Sequence, residues 1–91
     1  MDAKVWNHQE WVSETDPKKL REFYSELLFL SNFEVLNFLE HFFTPQGYTA
    51  IWLLGESHFA IHTFPEQGKT YIELTSCNPE KHDFFVANIK R

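Results

Sequence analysis

Tyr48 to Leu54 is apolar almost throughout and rich in strand formers. After a break at Gly55, His58 to Phe64 alternates apolar and polar positions, and Lys69 to Ser76 continues in the same style. These patterns predict three strands, because successive side chains of a strand point to opposite faces. The segments between them, Thr44-Pro45-Gln46-Gly47 and Pro65-Glu66-Gln67-Gly68, read as turns. Earlier in the chain the period changes. Thr15-Asp16-Pro17 is a helix start, with a capping side chain ahead of a proline, and Leu20, Phe23, Tyr24, Leu27 and Leu28 follow at helical spacing. Ser31-Asn32 ends that helix. Phe33 to Phe43 fits either period. Its Phe, Val and Leu content favours a strand with Leu36, Phe38, Glu40 and Phe42 on one face. A weaker strand pattern covers roughly Lys4 to Val12. Asn78-Pro79 opens a closing helix with Phe84, Phe85 and Ile89 on its inner face.

Short turns between consecutive strands predict an antiparallel sheet, and the two helices would cover one of its faces. The fold class is therefore α+β, in a single domain spanning all 91 residues.

Composition adds a constraint. The chain is 43% hydrophobic and 18% aromatic, with ten Phe and three Trp. That is more apolar material than a domain of this size can bury, and it predicts an oligomer. A net charge of −5 and the lack of a Lys/Arg stripe argue against nucleic acid. The N-terminal residues lack an apolar signal core, and the run from Ala50 to Leu54 is too short to span a bilayer. These features predict a soluble cytoplasmic protein without membrane contact.

The chemistry-bearing residues are ambiguous one by one. Ser57 beside His58 reads as a polar turn. His58 and His62 are four apart, a spacing that suits a metal on a helix, but this segment reads as a strand and no metal site is predicted. Cys77 is the sole cysteine, either a quiet core residue or a reactive thiol.

Taken together they form a pattern. Glu56-Ser57-His58 is followed by His62 five positions after the serine, then by Thr63-Phe64-Pro65-Glu66, and Ser76-Cys77 lies twenty positions after Ser57. Upstream stand His41, Phe43, Pro45, Gly47 and Thr49. This order and register resemble the self-cleaving segment of bacterial-type S-adenosylmethionine decarboxylase proenzymes, clearly from His41 to Cys77 and by layout alone in the N-terminal third. Thr49 stands where that family has Ser.

The resemblance implies half of that family's α/β sandwich and a chain that cuts itself between Glu56 and Ser57. Ser57 Oγ would attack the Glu56 carbonyl, with Thr49 steadying the oxyanion, and His62 would act as the processing base. Elimination would leave fragments of 56 and 35 residues, with a covalent pyruvoyl cofactor at position 57. The cofactor would bind S-adenosylmethionine as a Schiff base and decarboxylate it for spermidine synthesis. Cys77 would be the proton donor. Glu66 would accept hydrogen bonds from the ribose hydroxyls, and Phe43 would stack on the adenine, supplied across a homodimer of cleaved protomers.

The sequence also departs from the family. The family continues through a helix and another strand, whereas fourteen residues follow Cys77 here. Asn78 replaces the Gly after the Cys, Glu73 replaces an Asp, and His8 is out of register with an early histidine. Two other readings therefore stand beside the first: a pyruvoyl-dependent decarboxylase of arginine or ornithine, and an unprocessed paralogue serving as a binding module. Ser57 and His62 fall on opposite faces of an uninterrupted strand. A bend at Glu56-Ser57 is the expected resolution.

Overall fold

A computed structural model of the chain describes residues 4–91. The elements run β1 (Trp6–Val12), α1 (Pro17–Leu30), β2 (Val35–Phe42), β3 (Tyr48–Leu54), β4 (Ser57–Phe64), a single 3₁₀ turn (Pro65–Gln67), β5 (Lys69–Ser76) and α2 (Pro79–Ala87). The five strands form one antiparallel sheet in the order β1-β5-β4-β3-β2. The expected fold class is found, and the segment Phe33–Phe43, which fits either period, holds the strand Val35–Phe42.

The caps form as the sequence predicts. The Asp16 carboxylate accepts from Lys19 N at 2.9 Å with Pro17 at the first helical position, and the Asn78 amide oxygen accepts from Lys81 N at 2.9 Å ahead of α2. Each satisfies a backbone N–H that has no partner within its helix. Leu20, Tyr24, Leu27 and Leu28 of α1 and Phe85 of α2 pack on Tyr48, Ala50, Trp52, Leu54, Phe59, Ile61, Ile72 and Leu74 of the sheet. This is one apolar layer between helices and sheet. Trp52 lies at its centre, against Phe38 and Phe59, with its indole N–H donating to Ser25 Oγ at 3.2 Å. Trp52→Ala should lower the free energy of unfolding by about 3–5 kcal/mol, measurable by urea titration.

Leu36 and Phe84 leave the faces expected of them. The β2–β3 register shifts between Val35 and Asn37, so Leu36 bulges out of the alternation and is 56% exposed. In α2, Phe84 is turned to solvent while Phe85 and Ile89 are buried. Two adjacent helical residues diverge by about 100°, so one narrow contact cannot take both.

Burial also raises two tyrosine hydroxyls. Burial, together with the Glu40 carboxylate that accepts from the Tyr48 hydroxyl at 2.7 Å, pushes Tyr48 up to about 12. Burial raises Tyr24 as well. A raised folded-state pKa favours the fold fully below the unfolded value of 10 and is lost as pH climbs toward 12. Stability should therefore fall between about pH 10 and 12, and Tyr48→Phe should flatten that fall in alkaline denaturation followed by circular dichroism.

The other face of the sheet carries no helix. One row across it reads His41, Thr49, His62, Tyr71 and Trp11, and the next Leu39, Ile51, Ala60, Glu73 and Gln9. Trp11, Leu39, Ile51, Leu53 and Phe64 on this face are exposed.

Candidate active site

The β3–β4 hairpin closes through Gly55 and Glu56, with Leu54 paired to Ser57. Glu56 has φ 57°, in the left-handed region. For a residue with a Cβ this conformation costs roughly 1–2 kcal/mol, so local strain sits on the residue whose carbonyl precedes Ser57. The turn is held by Gly55 N, which donates to Glu34 O at 3.1 Å.

β4 and β5 pair in register, which carries the residue after β5 alongside the start of β4. Cys77 N donates to Ser57 Oγ at 3.3 Å, and the Cys77 thiol donates to Glu56 O at 2.9 Å. Ser57 itself is buried, on the helix-facing side of the sheet. One residue therefore orients the serine hydroxyl and polarises the carbonyl beside it. A donor on a carbonyl oxygen stabilises the negative charge that develops when a nucleophile adds to its carbon. These atoms open into a cleft of about 180 Å³ that Phe33, Gly55, Asn78 and Lys81 complete.

The remaining expected residues gather at the opposite end of the sheet. Thr49 and His62 face each other across β3 and β4, with Thr49 Oγ1 2.9 Å from His62 Nδ1. In the tautomer whose Nδ1–H donates to Thr49, Nε2 keeps a free lone pair, the form a general base needs. Phe43 and Glu66 line one cleft of about 440 Å³ with Thr49 and His62. Phe43 is half-exposed and packs edge-on against His41, with ring centroids 4.5 Å apart. Its position is set by Gly47, which has φ 118°; a Cβ there would lie 3.4 Å from Phe43 Cβ. Phe43 N also donates to Gly47 O at 2.9 Å.

The expected bend does not unite Ser57 with His62. The left-handed turn ends at Glu56, and Ser57 is already in β4, so the two side chains keep opposite faces. Five residues of strand separate them by about 17 Å. The fold thus makes two half-sites in one chain: Glu56, Ser57 and Cys77 at one end of β4, and Phe43, Thr49, His62 and Glu66 at the other. Within one chain Thr49 contacts the His62 ring and lies at the end of β4 away from Ser57.

Sequence reading passed over Lys81 and Tyr71. Tyr71 lies opposite His62 in β5, with ring centroids 6.4 Å apart. It alternates with the buried Ile72 along β5 and so lies on the open face, where the β4–β5 register gives it this neighbour.

The S-adenosylmethionine decarboxylase family model matches residues 9–91. An S-adenosylmethionine decarboxylase proenzyme of Pyrococcus furiosus is 34% identical over 80 residues, covering 82% of this chain and 58% of that protein. One from Syntrophomonas wolfei is 30% identical over 73 residues, with 80% and 58% covered. One from Prochlorococcus marinus is 43% identical over 47 residues, with 52% and 38% covered. The chain thus spans less than two thirds of the length of these relatives. The crystal structure of the adenosylmethionine decarboxylase from Aquifex aeolicus superposes with a TM-score of 0.75 at 24% identity, covering 100% of this chain and 86% of that one, and shares its fold. The match over residues 9–91 and the common fold make this chain a member of the S-adenosylmethionine decarboxylase family.

Proposed function

We propose that the chain is a proenzyme that cuts itself between Glu56 and Ser57 and then decarboxylates S-adenosylmethionine, supplying the aminopropyl donor of spermidine synthesis in the cytoplasm. The observation that carries this reading is the contact set at the hairpin: the Cys77 thiol on Glu56 O at 2.9 Å and Cys77 N on Ser57 Oγ at 3.3 Å, beside a left-handed Glu56.

The chemistry follows from these groups. Ser57 Oγ adds to the Glu56 carbonyl carbon, which is strained by its backbone and polarised by the thiol. The C–N bond then breaks, leaving an ester and a free amine at residue 57. A base removes the Ser57 α-proton, the Cβ–O bond breaks, and Glu56 departs as a carboxylate. The resulting dehydroalanine tautomerises and is hydrolysed with loss of ammonia, which leaves the pyruvoyl group. Once formed, that group supplies the electron sink for loss of CO₂. Cys77 is exposed and lines the same cleft, which supports it as the donor that returns a proton to the substrate carbon. Phe43 offers an aromatic face to the adenine and the sulfonium, and Glu66 offers a carboxylate to the ribose. That pair in one cleft favours a nucleoside substrate over arginine or ornithine.

His62 as processing base requires a second copy. A general base must lie within about 3 Å of the proton it takes, and one chain holds the two groups about 17 Å apart. We therefore assign the active form to a homodimer with the two open sheet faces packed together. A two-fold axis lying in the interface across the strands sets the facing strands antiparallel, so each Ser57 end meets the other chain's His62 end, which approaches the Ser57 Cα from the face opposite its side chain. The exposed Trp11, Leu39, Ile51, Leu53 and Phe64 supply the apolar surface. Ile51→Glu at the centre of that face should give a monomer by sedimentation velocity and slow self-cleavage at least ~100-fold, since a buried unpaired charge costs several kcal/mol.

Intact-mass spectrometry under denaturing conditions tests the whole reading. Fragments of 56 and 35 residues, the second blocked by a pyruvoyl group, are expected. A single chain that stays uncut on long incubation would reject self-processing and leave a binding module.

A further inference from the structure

Lys81 occupies a position that local helix energetics disfavours. It lies in the first turn of α2, two residues after Pro79, where the unpaired N–H groups make the helix end positive and repel a cation. Among the described residues no carboxylate lies within ion-pair distance of its ammonium. The Nζ instead stands 5.8 Å above the Phe33 ring, and Phe33 and Lys81 are two of the walls of the cleft that holds Glu56, Ser57 and Cys77. Its backbone N–H is spent on the Asn78 cap, which fixes the turn. Two sources of positive potential, the ammonium and the α2 N-terminus, thus converge on a cleft that Glu56 lines, with the Glu34 carboxylate beside Gly55 at its edge. Local placements that oppose their own element are expected where a functional demand outweighs them.

We infer that Lys81 receives the carboxylate released at Glu56 during self-cleavage. The inference rests on the self-processing reading above and assigns a residue to its second half. In the elimination the Ser57 Cα–H bond breaks and its electron pair forms the Cα=Cβ bond. The Cβ–O electron pair leaves on the Glu56 carboxyl group, and the base carries away the proton. Full negative charge therefore develops on Glu56, which already bears a side-chain carboxylate. A fixed cation in a partly dry cleft stabilises that charge as it forms. The acyl shift that precedes it ends in a neutral ester and has no comparable need for Lys81. After the cut, Lys81 holds the new chain end in place beside its own helix terminus.

The test separates the two halves of the reaction. Hydroxylamine cleaves the ester directly and so reports its formation, while spontaneous cleavage also requires elimination. Lys81→Met should slow spontaneous cleavage about tenfold, since one unshielded charge in such a cleft is worth about a factor of this size. Hydroxylamine-driven cleavage after Glu56 should keep its wild-type rate, and Lys81→Arg should restore spontaneous cleavage. A Lys81→Met chain that cuts at the wild-type rate overturns the inference and leaves the self-processing reading intact. A parallel fall in both reactions also overturns it, since Lys81 would then serve only to shape the cleft. A wild-type chain that gives neither product removes the self-processing reading, and this inference with it.

Discussion

Ser57→Ala should leave one uncut chain in denaturing mass spectrometry and no decarboxylase activity. The effect is total because the serine is both the nucleophile of the cut and the atom source of the cofactor. Without the hydroxyl no ester forms, and without the ester there is no elimination. The full rate enhancement, on the order of a millionfold or more for enzymes generally, goes with it. The fold should survive: Ser57 is buried beside Phe33 and the start of α2, and alanine removes a single hydrogen-bond acceptor for Cys77 N. That loss is worth about 1 kcal/mol. An unchanged far-ultraviolet spectrum with an uncut chain would separate chemistry from folding. Cutting at the normal rate would locate the nucleophile elsewhere.

The second large effect is complementation between two inactive chains. Ser57→Ala and His62→Ala should each remain uncut alone. When the two are unfolded together and refolded as a mixture, the His62→Ala chain should be cut while the Ser57→Ala chain stays whole. In a mixed dimer one site combines the intact Ser57 of one chain with the intact His62 of the other, and the second site has neither. The expected outcome follows from the opposite faces and the five-residue separation of these side chains along β4. No cutting in the mixture would mean that the base acts on its own chain, by a rearrangement of the hairpin, or that His62 is not the base.

Much of the scaffold was legible because each element carried a local signal. Asp16-Pro17 and Asn78-Pro79 marked both helix starts, and the alternation from Lys69 to Ser76 gave β5 its bounds. Leu36 was misplaced because a bulge depends on pairing with β3, which no pattern within β2 records. Phe84 was misplaced because helical spacing identifies a stripe and not its width. The site was legible as a set of residues and illegible as a constellation. Alternation assigns Ser57 and His62 to faces, but the contact of Cys77 with Glu56 needs the register of β4 on β5 and the left-handed turn together. Lys81 gave no signal, since a lysine near a helix start reads as a solvated surface charge.

The strand order has a consequence for the cut molecule. The 35-residue fragment contributes β4, β5 and α2, and its two strands lie between β1 and β3 of the 56-residue fragment. A cut after Glu56 therefore produces a split protein whose smaller piece is clamped on both sides by main-chain ladders. The pieces should travel together through native chromatography and part only in denaturant. From that point folding is an association of fragments, and its midpoint should rise with protein concentration even in an Ile51→Glu background, where that of the uncut chain should not. The proenzyme is the stage at which the sheet assembles as one molecule; maturation converts a folding problem already solved into a binding equilibrium.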